Sequence, residues 1–547
     1  MTLVNRKEIY HYRLPVLIAL SFLIRLVLAF SVELGNDEVY YITYARFPDL
    51  SHFDHPPMVG WVIQLFTLDL SVYSEGWIRM AAVVIGTLTT IVIYFIGKEI
   101  GDKETGWYAA LLYTISLYGF VITGIFMMPD SPQVFFWLLG ILLIIKYIHQ
   151  VNVNEPDNLD KKGFGFKRQD ANYTKIYLIL LGGLAIGLSL LSKYTSIFIL
   201  LGLFLWFLKH RSFLKLWYVW AAAFIALACF LPVIIWNLNN DFISFTFHTD
   251  RVEMKDHIFR FGSFATEIAG EVLYNNPITV ALTIAAIIAF FKGKLETKNN
   301  TGLILILIAL PLIVTFLGIS LFRSTLPHWT GPAYLTLIPL TALWIRKKTK
   351  TGFEGKLFPK PIIFGAAFLI IVISLAVTQL NYNIFFNKGI SPETGKRLGI
   401  KDITLDMYGW HQLNKKFTVL YQKDLTEHIT DSNTVIISHR WFPAANLDYY
   451  VASHNGIRVM TMAPLERTHK YAWITKKRGG YKLGMDAYFI SSSYDFMDPK
   501  VIYSEYFTIS KPDTIPIYRQ SLLVKYFYVW KLKDLKKLPP SDYLIEK

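Results

Sequence analysis

Cysteine is almost absent from this chain: Cys229 is the only one in 547 residues. One thiol cannot form an intramolecular disulfide, and because Cys229 lies inside an apolar run, a cysteine-based metal site is not expected either. Charge is also scarce, at 17% of residues against 53% hydrophobic and 16% aromatic. An ordinary soluble domain carries about a quarter charged residues, so this composition implies a membrane protein. Gly-rich phosphate loops, Ser/His/Asp spacings and internal repeats are missing, and nothing resembles a nucleic-acid module.

What is present is a long series of apolar runs. Segments near the roughly 20 residues that cross a hydrocarbon core occur at 15–33, 77–97, 105–126, 132–148, 176–191, 194–208, 216–235, 277–291, 302–320, 330–345 and 361–380, about eleven candidate spans. The first reads as a retained span, since an acidic loop rather than a small-residue cleavage site follows it. Lys and Arg cluster in alternate connections: Arg6, Lys7 and Arg13; Lys98 and Lys103; Lys161, Lys162, Lys167 and Arg168; Lys209, Arg211 and Lys215; Lys292 and Lys294; Arg346, Lys347, Lys348 and Lys350. The positive-inside rule assigns these to the cytoplasm, with the N-terminus, and the intervening loops to the outer face. The net charge of +15 then reflects topology and contact with anionic lipid rather than nucleic acid.

Two parts are expected: a membrane part over residues 1–380 and a soluble α/β domain over 381–547 on the periplasmic side. In the latter, 434–441 and 456–462 read as buried strands, 442–454 as a short helix and 522–532 as a late strand. Two outer loops, about 34–76 and 236–276, mix aromatic and charged residues at near-helical spacing, which suits helices lying in the interface.

Ionisable groups close to the membrane are costly and tend to mark function. Asp37 and Glu38 open the first outer loop, and Asp54 and His55 close it before Pro56 and Pro57. Asp130 lies in "MMPDSPQVFFW", Lys193 interrupts a long apolar stretch, Arg251 lies in the second long loop, and His328 and Trp329 open a later span. Taken singly, Asp130 fits a turn or a helix N-cap, Lys193 a snorkelling cation and His328 an interfacial histidine. Together they supply carboxylates to accept a proton and cations to hold a phosphate, which suits group transfer from a phosphate-bearing lipid. A multi-span transporter or flippase is the alternative, and it would require inverted repeats that are not seen.

The ordered set "GNDEVYYITYA", "DHPPMVGW", "MMPDSPQVFFW", "GLSLLSKYT", "WN" with "SFTFH", and "PHWTGPAY" resembles the bacterial glycosyltransferases of the C superfamily (GT-C). The likeness is to the branch related to protein O-mannosyltransferases and to the aminoarabinose transferase of lipid A, and it covers roughly residues 10–380. It implies a multi-pass inner-membrane enzyme. Such an enzyme transfers a sugar, with inversion, from a polyprenyl (undecaprenyl) phosphate donor to lipid A, a protein or a surface glycan at the periplasmic face.

On this resemblance Asp37 matches the catalytic carboxylate, supported by Glu38, and Asp130 the second acidic position. Lys193, Arg251, His328 and His55 fall at phosphate-binding positions, and Asp54, Tyr40 and Trp329 would position substrate. One departure concerns His55: the aminoarabinose branch has Lys before the two prolines, so phosphate neutralisation here depends more on Lys193 and Arg251. No cofactor is implied, and the acids lack metal-ligand spacing, so no metal is expected.

Overall fold

The structure, a computed structural model, describes residues 6–151, 171–253, 259–350, 357–385 and 397–543. The basic run Lys161, Lys162, Lys167 and Arg168 lies outside them. Contacts divide the chain into two units, Met1–Phe30 with His55–Ile370, and Ser31–Asp54 with Ile371–Lys547. Residues Ser31–Asp54, expected within the membrane part, thus group with the C-terminal sequence.

The first unit is helical. Among the described residues, five helices are long and apolar enough to cross a membrane: Tyr12–Ala29, Glu75–Ile100, Asp130–Gln150, Lys298–Ser320 and Lys360–Tyr382, the last running on into the second unit. Two broken pairs raise the number to seven if each makes one span, Trp217–Cys229 with Leu231–Leu238, bent by 43°, and Phe261–Tyr274 with Pro277–Phe291, bent by 97°. The helices Lys175–Leu190 and Tyr194–Lys209 are apolar but shorter. This differs from eleven uninterrupted runs for a local reason. The run expected over 105–126, for example, is a helix only over Lys103–Ile115; Ser116 is extended (ψ 126°) and a π-helical turn follows over Tyr118–Ile122.

Polar side chains fix the ends of these helices. Asp102 caps Lys103–Ile115 by accepting from the Thr105 N–H at 2.8 Å, and it also accepts from Arg346 Nε at 2.9 Å. Arg13 grips Glu104 with both terminal nitrogens, at 2.7 and 2.5 Å. Buried aromatic residues fill the interior, and Trp137 Nε1 finds its partner in Thr336 Oγ1 at 2.8 Å, as a buried indole requires. Apolar side chains such as Val16, Val27, Phe364 and Ile370 are exposed on Tyr12–Ala29 and Lys360–Tyr382, the surface that lipid would cover.

The second unit carries a six-stranded sheet, with β1 (Val435–Ser438), β2 (Val459–Thr461), β3 (Ala487–Ser492), β4 (Thr508–Ile509), β5 (Asp513–Arg519) and β6 (Leu522–Lys533). The order is β2-β1-β3-β6-β4, and β5 pairs with β6. β1 is parallel to β2 and β3, while β6 is antiparallel to β3, β4 and β5. Strand β1 is buried along its whole length, as expected of a central parallel strand, and helices cross over at 441–455 and Tyr471–Lys477. The apolar runs read from sequence coincide with β1, β2 and β6.

Backbone and side-chain hydrogen bonds explain why Ser31–Asp54 belongs here. The Leu34 N–H donates to Tyr450 Oη at 2.6 Å, and Glu33 accepts from the Trp410 and His411 N–H groups at 2.9 and 3.1 Å. Arg519, wholly buried, donates to the Gln379 carbonyl and to Asp402 Oδ2, both at 2.9 Å, tying the end of Lys360–Tyr382 to the sheet.

Candidate functional site

In the first unit the chemistry collects where a helix breaks. Helix Ala171–Leu190 stops before Lys193, which is extended (φ −158°, ψ 138°), and a 3-10 turn at Tyr194–Ser196 leads into Ile197–Lys209. A knot of small polar groups holds the break. Ser189 Oγ donates to the Gln133 carbonyl (3.1 Å) and meets Ser196 Oγ (2.8 Å), and Gln133 Nε2 donates to Thr195 Oγ1 (2.8 Å). Interrupting the helix frees the Lys193 side chain to point inward, where Nζ donates to Asp130 Oδ2 at 2.8 Å. Asp130 opens helix Asp130–Gln150 and is 1% exposed. Its other oxygen, Oδ1, accepts from Tyr118 Oη at 2.8 Å, so the carboxylate is held from both sides.

Gly331 makes room for that tyrosine: a Cβ there would lie 2.3 Å from the Tyr118 ring. Three residues earlier, His328 sits in a 3-10 turn, where its charge couples to Asp130, Lys193 and His55. Burial, with help from Lys193 and His55 and against Asp130, pushes its imidazole down to about 4, so His328 stands neutral at pH 7. His55 packs edge-on to His248 (6.3 Å between ring centres), which packs in turn on Tyr194 (5.0 Å). Arg251 lies over Phe247 (5.2 Å) and Trp329 (5.6 Å). The first unit therefore brings Asp130, Lys193 and His328 into one electrostatic cluster, with His55 coupled to His328 and Arg251 stacked on Trp329.

Two buried carboxylates here were not anticipated. Glu267 and Glu271, one turn apart on Phe261–Tyr274, accept from Thr325 Oγ1 at 2.7 Å and Tyr334 Oη at 2.8 Å. The i, i+4 pair in "EIAGE" was the signal available.

The remaining candidates lie in the second unit. Asp37 is exposed in the first turn of helix Asn36–Arg46, where an acid complements the helix dipole. Glu38 is buried and its Oε2 accepts from the Gly35 N–H at 3.1 Å, a helix-capping contact. Tyr40 and Tyr44, one turn apart, both donate to Asp54 Oδ1, at 2.8 and 2.5 Å. His469 Nδ1 lies 3.9 Å from Asp54 Oδ2, and its ring stacks on Trp441. Next to it Lys470 Nζ meets His52 Nδ1 at 2.6 Å, and burial pulls this lysine down to about 7, opposed by Asp49 and Asp54. Tyr40 and Asp54 are thus brought together, while Asp37 is exposed and Glu38 is buried against the start of its helix. No three His, Cys, Asp or Glu side chains converge as a metal site among the described residues.

The family model described as dolichyl-phosphate-mannose-protein mannosyltransferase matches residues 54–154 and 167–236. A lipid A galacturonosyltransferase of Rhizobium johnstonii is 23% identical over 343 residues, 60% of this chain and 66% of that protein, so the match falls just short of two thirds of the relative's length. The fold is that of ArnT from Cupriavidus metallidurans. The apo crystal structure superposes with a TM-score of 0.58 at 12% identity, covering 95% of this chain and 98% of that one. The same protein bound to undecaprenyl phosphate gives 0.56, covering 94% and 97%.

Proposed function

We propose that this chain is a GT-C glycosyltransferase related to ArnT that moves a sugar from a polyprenyl phosphate to an acceptor hydroxyl at the periplasmic face of a bacterial inner membrane. The observation that carries this is the buried Lys193–Asp130–Tyr118 assembly at a helix break. A lysine fixed in an apolar surround by one carboxylate is a preorganised cation, the group needed where a phosphate leaves with growing charge.

In the reaction the acceptor oxygen attacks the anomeric carbon from the face opposite the phosphate. The bond from that carbon to the phosphate oxygen breaks, the electron pair leaves on the polyprenyl phosphate, and the configuration inverts. Lys193, oriented by Asp130, and Arg251 neutralise the phosphate; neutral His328 donates a hydrogen bond to it, and His55 contacts it. On the sequence resemblance, Asp37, supported by Glu38, is the residue assigned to take the acceptor proton. The same resemblance assigns Asp54, held by Tyr40, and Trp329 to substrate positioning. The undecaprenyl phosphate bound by ArnT and the lipid A acted on by the Rhizobium relative favour undecaprenyl as carrier and lipid A as acceptor.

The test supplies the protein in lipid with undecaprenyl-phosphate sugars and either lipid A, a protein extract or surface glycan. Transfer to lipid A that is lost in Lys193→Ala supports the proposal; equal transfer by that variant, or none from any donor, defeats it.

A further inference from the structure

In the second unit, the chain runs from β1 to β2 on one side and then passes back across β1 to β3 on the other. The carboxyl ends of β1 and β3 are therefore a topological switch point, the place where sheets of this kind leave a crevice for ligands. A cleft lies there, lined by His439 after β1, by Ser491, Ser492, Tyr494 and Asp495 at the end of β3, and by Asn36. Aromatic walls come from Trp410, Phe442 and Phe527.

His439 is 3% exposed and neither ring nitrogen meets a protein partner. A buried imidazole in that condition forfeits hydrogen bonds that a ligand can restore. Burial and Arg440 push it down to about 4, so it is neutral and offers one donor and one acceptor. The charged groups around it are already engaged with one another. Arg440 is bonded to Asp495, and Lys525 couples to Asp406 and Glu33 while lying 4.9 Å from the Trp410 ring. An anion or cation would compete with these pairings. A hydroxyl-rich neutral ring satisfies carboxylates, serines and a neutral histidine, and its C–H face suits the aromatic walls. The enclosed volume of about 20 Å³ takes a hydroxyl or hydroxymethyl group, so a ring enters edge-on.

We propose that the cleft at the ends of β1 and β3, centred on His439, is a carbohydrate-binding site for a neutral sugar residue. As a subsite for the acceptor's glycan it rests on the proposed transfer, since Asn36 immediately precedes Asp37; as a sugar site it stands on the cleft alone.

The experiment uses the full-length protein in nanodiscs, without lipid-linked donor, so its failure is separate from any failure of transfer. Saturation-transfer NMR is recorded with methyl glycosides of galactose, glucose and mannose, and with glucuronate and inorganic phosphate. Saturation of a neutral glycoside that falls at least fivefold in His439→Phe and in Ser492→Trp establishes the site; thermal unfolding checks that both variants fold, and Ser492→Trp decides if His439→Phe does not. Equal saturation in the variants, no neutral glycoside bound, or binding of glucuronate or phosphate alone overturns it.

Discussion

Lys193 Nζ and Asp130 Oδ2 lie 2.8 Å apart with side chains 8% and 1% exposed, an ion pair between residues 63 positions apart in sequence. Removing one partner leaves an uncompensated buried charge. Lys193→Ala should lower stability by about 3–5 kcal/mol, and Lys193→Ala with Asp130→Asn should recover much of it. Activity should stay lost in both. Denaturant unfolding in detergent alongside sugar transfer checks this; a double variant no more stable than the single one refutes the pairing.

Asp37 is exposed and Glu38 is a buried cap, so their substitutions should separate function from stability. Asp37→Asn should cut transfer by about 10²–10⁴-fold, the usual contribution of a general base, and change stability by less than about 0.5 kcal/mol. Glu38→Gln keeps a capping acceptor and should lose far less activity. Rates and unfolding curves on the same preparations decide.

Tyr40 and Tyr44 both donate to one oxygen of Asp54. Phenylalanine at either position strips a donor from a buried carboxylate and should cost about 1–3 kcal/mol. The double variant should cost less than the sum of the singles if the two hydroxyls act on one charge, which a double-mutant cycle measures.

Gly331→Ala would drive a methyl group into the Tyr118 ring. Overpacking of this kind costs about 1–3 kcal/mol. Because Tyr118 must move away from Asp130, transfer should fall further in Gly331→Ala than in Tyr118→Phe, which removes the hydroxyl but leaves the ring in place.

Lys470 is held near 7 in the fold against about 10.5 when unfolded. Between these values the unfolded chain binds the additional proton, so this group makes stability rise as pH climbs from about 7 towards 10.5 and contributes no slope below. Lys470→Met should flatten that rise and stabilise the protein at pH 7. Unfolding midpoints measured from pH 6 to 10 give the answer.

Much of this was legible in sequence because it is local. An apolar run bounded by turn residues marked β1, β2 and β6, and a lysine inside an apolar stretch marked the helix break at Lys193. What pairs Lys193 with Asp130, or Tyr118 with Asp130, is tertiary geometry that spacing does not encode. Glu267 and Glu271 were overlooked because their loop was read for its aromatic stripe rather than for acids one helical turn apart. Least visible was the grouping of Ser31–Asp54 with the sheet unit, since a run of hydrogen bonds to residues beyond 400 leaves no mark on the loop's own composition.

That grouping also sets an order of events during synthesis. Asn446 Nδ2 donates to Asn36 Oδ1 across 410 residues of chain. At about 5–20 residues per second the ribosome needs roughly 20–80 s between the two. Through that interval helix Asn36–Arg46, with Tyr40, Tyr41 and Tyr44 facing a core that does not yet exist, lacks its native partners. A chain released before residue 446 is made therefore leaves this helix without that partner.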